Sequence, residues 1–168
     1  MDNKNFQTFF DCGTSKIRAG TFNSDNNEAF YFDSEFFTDQ SNLELKIQNI
    51  VTSLEKKSNE YIDNISLMID NSKMFSVGIS LSKRLDGSKL KQKNIQFLVQ
   101  EAKQQISKYY INHNIAHIII NNYKVDGVDY SYFPDDVKCD FISLDILFIC
   151  LPTDLVLYFK NIFSKSNI

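Results

Sequence analysis

The stretch FFDCGTSKIRAGTF, Phe9 to Phe22, decides how the first half of the chain is read. Residues 6–11 (FQTFFD) and 15–22 (SKIRAGTF) read as two strands joined by a tight turn at Gly13. The turn carries Asp11-Cys12-Gly13-Thr14-Ser15-Lys16. Glycine permits close backbone approach, so the N–H groups of 13–15 form a candidate anion nest. Thr14 and Ser15 add hydroxyl donors, and Lys16 adds a positive charge. Asp11, at the end of the first strand, is placed to hold Mg²⁺ through water, because Mg²⁺ prefers oxygen ligands and keeps its hydration. The same residues fit an ordinary hairpin with a polar turn equally well, since the motif is short and weakly specific.

Downstream, NSDNN at 23–27 reads as a polar turn and EAFYFDSEFF at 28–37 as a third, aromatic-rich strand. The period then changes. Leu43, Ile47, Ile50, Val51 and Leu54 form the stripe of an amphipathic helix, with Asp39 or Ser41 as its cap. ISLMID at 65–70 reads as a short strand of the buried type. In MFSVGISLS, Phe75, Val77, Ile79 and Leu81 alternate with Ser76, Gly78, Ser80 and Ser82, which gives one core face and one small, polar face. Asp86-Gly87 signals a turn. Ile95, Leu98, Val99, Ala102, Ile106 and Tyr109 mark a second helix. Strands follow at 116–125 and 140–151, the latter with Ile142, Leu144, Ile146, Phe148 and Cys150 on one side. A third helix carries Leu155, Phe159, Ile162 and Phe163, capped by Thr153.

The order is therefore β-β-β-α-β followed by β-α-β-β-α, an α+β chain expected to divide at Asn71–Ser72 into pieces 1–71 and 72–168.

Composition excludes several functions. The 168 residues carry a net charge of −3, against the basic footprint of a nucleic-acid binder. No apolar run is long enough to span a bilayer, and MDNKNFQTFF lacks the pattern of a secretory signal. Cys12, Cys139 and Cys150 are odd in number and far apart, as in a reduced, cytosolic protein. Sixteen lysines stand against two arginines, which points to coding bias more than to function. His113 and His117 are four apart but have no further ligand nearby, so a metal site is not expected. Lys83, Arg84, Lys89, Lys91 and Lys93 read as a solvated turn and helix start. Tyr123, Tyr130, Tyr132 and Phe133 gather around one loop, where exposed aromatics mark partner sites and others pack back on the core. No nucleophile–base grouping with a local signature is present, so no catalytic residue is assigned.

Together, FDCGTSKIRAGTF, the 41–60 helix, ISLMID, YKVDG before Pro134, and the long strand leading to PTDLVLYFKNIF resemble the N-terminal part of the FtsA family of bacterial actin-like cell-division proteins. The resemblance implies a partial actin-like lobe in 1–71 and, from 72, the subdomain that this family inserts in place of actin's small outer one. It implies ATP and Mg²⁺ as ligands of the full-length family, with Asp11, Gly13, Thr14, Ser15 and Lys16 as one jaw of the site. It also implies self-association, the tubulin-like division protein and other division proteins as partners, and a place at the inner face of the membrane at the division site. SEFFTDQSN lacks the family's usual glycines, and DDVKCD replaces its usual Gly-Met motif. The second jaw of the cleft, the subdomain that receives the tubulin-like protein's tail and the membrane-anchoring helix are expected beyond this sequence. An isolated jaw buries too little ligand for tight ATP binding and has no aligned metal and water for hydrolysis. The chain alone is therefore expected to act through protein contacts. A type IV pilus assembly ATPase of the actin-like kind, or a stand-alone binding module without nucleotide, are the alternatives.

Overall fold

The computed structural model describes residues 6–23, 29–36 and 42–168. Its elements run β1 (Phe6–Cys12), β2 (Lys16–Asn23), β3 (Ala29–Phe36), α1 (Leu43–Ser58), β4 (Ile65–Ile69), β5 (Phe75–Arg84), α2 (Gln92–Tyr109), β6 (His113–Val125), β7 (Val128–Tyr130), β8 (Phe141–Pro152) and α3 (Thr153–Ser164). The fold is α+β, as expected. The chain divides into two units: Met1–Ser72 with Leu157–Ile168, and Lys73–Val156. The expected division assigned all of 72–168 to one piece; here the last twelve residues, Leu157–Ile168, belong to the first unit. Of the turn expected at 23–27, Asn23 ends β2 and the rest lies outside the described residues, as do the caps expected at Asp39 and Ser41.

In the first unit the strand order is β3-β2-β1-β4, antiparallel except for the parallel pair β1–β4. That parallel pair requires a crossover, which α1 provides. The helix buries Leu43, Ile47, Ile50, Val51 and Leu54, the whole of its expected stripe. It stops where Asn59 enters the left-handed region at φ 56°, a conformation Asn tolerates better than most residues. Phe10 and Ile17 are fully buried, and the Phe163 ring meets Phe10 edge-on at 5.0 Å. Residues of the C-terminal helix thus complete this core. β4 is not the buried strand expected: it forms the sheet edge, and Ser66 and Met68 face outward, Met68 more than half exposed.

The second unit holds a sheet of order β5-β8-β6-β7. The sequence suggested three strands; the fourth, β7, is three residues long and forms a hairpin with β6 through Asp126 and Gly127, both at positive φ. So short a strand has no room to show a period. β5 pairs with β8 over ten consecutive residues without a bulge. Ile142, Leu144, Ile146, Phe148 and Cys150 of β8 and Ile95, Leu98, Ala102 and Ile106 of α2 are buried in one core. Phe75, Val77, Ile79 and Leu81 pack against it, as their alternation predicts. Tyr109, placed on the helical stripe by its spacing, is 77% exposed; the following Tyr110 turns in instead and packs on Phe75. His113 and His117 lie on β6, not between helix and strand, and the His113 ring packs edge-on against Phe75. Among the described residues no group of three metal-ligating side chains occurs, and no helix is long and apolar enough to cross a membrane.

Candidate functional site

The β1–β2 hairpin brings Asp11, Gly13, Thr14, Ser15 and Lys16 together at one end of the first sheet. Cys12 faces Ile17 across the ladder, and Gly13 N–H donates to Lys16 O at 3.1 Å. This bond closes a two-residue turn on Thr14 and Ser15, both exposed. It also occupies one of the three N–H groups expected to form the nest, so Thr14 and Ser15 must supply the rest of any anion contact. A Cβ at Gly13 would come within 3.3 Å of Lys16 O, so glycine here serves close approach within the turn itself.

Asp11 has a partner that local sequence reasoning missed. The β1–β2 register sets Arg18 directly opposite it, and Arg18 Nη1 donates to Asp11 Oδ2 at 2.8 Å. A paired carboxylate offers a cation less than a free one, because the guanidinium already holds part of its charge. Lys16 Nζ lies 4.7 Å from the centroid of the Phe36 ring, a cation–π contact that directs it toward β3. Beside these groups Cys12 is buried, and burial first, then the Asp11 charge, push its thiol up to about 12. It is an inert packing residue. On the far side of β1, Asp70 N–H donates to Cys12 O, tying the end of β4 to the hairpin.

The aromatic loop of the second unit separates into two roles. Tyr123 of β6 and Phe133 have ring centroids 6.1 Å apart and line, with Ile95, Val99 and Ile120, a cavity of about 330 Å³ between α2 and β6. Tyr130 packs against the core. Tyr132 is 69% exposed and meets Tyr130 edge-on at 6.5 Å. Of the four aromatics expected to meet a partner, Tyr132 is exposed, while Tyr123, Tyr130 and Phe133 pack against the core.

Among the described residues β5 is an edge strand, paired on one side only, with β8. Ser76, Gly78, Ser80 and Ser82 are all exposed, and Ser80 Oγ donates to Asp145 Oδ1 of β8 at 2.5 Å. Edge strands that avoid pairing usually carry charges, proline or a bulge. Residues 75–82 have none of these.

Compared with family models and with curated proteins, the chain matches none.

Proposed function

We propose that this chain is an FtsA-like division protein of the actin-like ATP-binding kind, acting in this stretch mainly as a protein–protein interaction module. The observation that carries the interaction role is the edge position of β5, whose residues 75–82 carry no charge, proline or bulge; Lys83 and Arg84 follow at its end. The family reading is supported by the β-β-β-α-β connection of the first unit, the order that the resemblance implies. In that reading Asp11 to Lys16 form one jaw of a nucleotide site whose other jaw lies elsewhere in the protein. The exposed Tyr132 is a second contact point. A fluorescent fusion in the organism that carries the gene tests the proposal. Accumulation at the division site, with binding of the purified tubulin-like division protein or of another division protein, is the expected result. Diffuse fluorescence together with normal division on depletion counts against it.

A second reading has its own observation. Gly13 N–H is used within the turn and Asp11 is held by Arg18, as in a hairpin that is purely structural. The chain is then a binding module without nucleotide. Asp11→Ala in the natural full-length protein separates the two: loss of nucleotide binding supports the cradle, whereas a protein that binds no nucleotide with or without the substitution supports the structural hairpin.

A further inference from the structure

The turn between β5 and α2 is clamped to the segment before β8. Leu85 N–H donates to Asp140 O, Gly87 N–H to Cys139 O, Cys139 N–H to Ser88 O and Leu90 N–H to Val137 O. A bridge pairs Lys89 with Lys138. Leu85, Leu90 and Cys139 are buried beneath. Beside the clamped turn lies a cleft of about 610 Å³ lined by five cations, Arg84, Lys89, Lys91, Lys93 and Lys138, and one acid, Asp86. Arg84 pairs with Asp86 and Lys89 with Asp136, 3.5 Å away. Lys91, Lys93 and Lys138 make no ion pair among the described residues, and all three are exposed.

The charges in this arrangement oppose the helix start. A helix start favours acids and an oxygen-bearing cap. α2 has Lys91 at its cap position and no acid in its first turn. An ammonium cannot accept a hydrogen bond, so the Lys91 side chain does not cap the helix; the start is held by Lys91 N–H donating to Asn94 Oδ1 at 2.9 Å. Local choices that oppose the fold are expected where a surface serves a ligand.

We propose that this cleft binds an acidic segment of a partner protein. Its cations come from two stretches of chain, 84–93 and Lys138, and are mostly lysines, which act as separate point charges and not as the bidentate fork that grips one compact anion. Such spacing suits carboxylates strung along a peptide. The net charge of −3 gives no long-range pull on nucleic acid, so the attraction is local to the cleft. The cleft shares Arg84 with the end of β5 but lies apart from residues 75–82 and Tyr132 in its lining, and the proposal holds whether or not the division reading does.

The test measures binding of fluorescein-labelled decaglutamate by anisotropy at about 50 and 200 mM salt, since screening sharpens over that range. Wild-type protein is compared with a Lys91→Gln, Lys93→Gln, Lys138→Gln variant and with a Lys103→Gln, Lys108→Gln, Lys160→Gln control of equal net charge. The cleft variant binds about tenfold more weakly and loses most of its salt dependence, as expected for three exposed charge contacts, while the control stays near wild type. Its melting temperature stays level or rises, because the substitutions relieve the helix start. Equal weakening in both variants overturns the proposal. So does tripolyphosphate or a phosphatidylglycerol vesicle displacing decaglutamate at lower charge concentration, which assigns the cleft to phosphate or to a membrane surface.

Discussion

Asp11 and Arg18 face each other across the β1–β2 ladder, joined by a 2.8 Å bond from Arg18 Nη1 to Asp11 Oδ2. The pair spans the two strands that flank the candidate phosphate turn. It sets the terms on which that turn could meet Mg²⁺, because a metal-bound water must compete with the guanidinium. Both side chains are partly exposed, 48% for Arg18 and 32% for Asp11, so the pair adds little to stability. Arg18→Gln is expected to change unfolding free energy by less than about 1 kcal/mol. Calorimetry of this chain with MgATP should give no micromolar binding in either form, since one hairpin does not enclose a nucleotide. Micromolar binding by the wild type would overturn the one-jaw reading of the turn.

The second unit's core gives a sharper mutational contrast. Phe148 is fully buried at the centre of β8, whereas Ser76 points to solvent from β5. Phe148→Ala should cost about 3–5 kcal/mol through lost burial and the cavity left behind. Ser76→Ala should stay within about 0.5 kcal/mol. Urea unfolding with matched slopes measures both.

Those two positions also show what was legible in the sequence. β5, β8 and the stripe of α1 announce themselves because a single period runs through each, and period fixes which face is buried. The unseen features are those set by register and distance. Nothing local to Asp11 marks Arg18 as its opposite, nor Lys138 as the neighbour of Lys89. Three apolar residues near the C-terminus, Phe159, Ile162 and Phe163, define a helix face but do not say which sheet it covers. Lys91 and Lys93 read as an ordinary solvated helix start until the fold brings further cations into the same cleft.

Asp33 provides a pH-dependent contribution in the first unit. Its carboxyl lies below the usual range, chiefly because Ser53 Oγ donates to Oδ2 at 2.6 Å; burial opposes the shift, and Ser34 N–H and Lys57 assist it. A depressed folded pKa means the unfolded chain binds the proton first as pH falls. The stabilisation is therefore full above the unfolded value, near ~3.9, and is lost as pH drops through the folded value. Ser53→Ala should raise the Asp33 pKa in a carboxyl NMR titration and cost about 1 kcal/mol at neutral pH. An unmoved titration would show that the hydroxyl does not govern this carboxylate.

Cys12 works in the opposite direction. Burial, with help from the Asp11 charge, raises its thiol from 9.0 to about 12. Above 9.0 the unfolded chain releases a proton that the folded one retains, so stability is full below that value and declines toward pH 12. Unfolding at pH 8 and pH 10.5 should show the decline, and Cys12→Ala should remove part of it. Iodoacetamide at pH 8 should alkylate Cys12 only in denaturant. Rapid modification of the native protein would mean that the β1–β2 hairpin opens readily.

Gly78 separates stability from association. It sits in the middle of β5, on the exposed face, at an ordinary strand φ, and a Cβ placed there meets nothing within 4 Å. Glycine inside a strand is costly, and a β-branched residue at this position fits the pleat. Gly78→Thr should therefore raise stability by about 0.5–1 kcal/mol. If the β5 edge receives a partner strand, the added side chain also crowds the close approach that a glycine in a strand often marks. The same variant should then bind the partner, or a second copy, more weakly while melting at a higher temperature. Analytical ultracentrifugation and thermal unfolding on one preparation give both readings. A more stable variant with unchanged association would remove this face of β5 from the interface and leave Tyr132 as the contact to pursue.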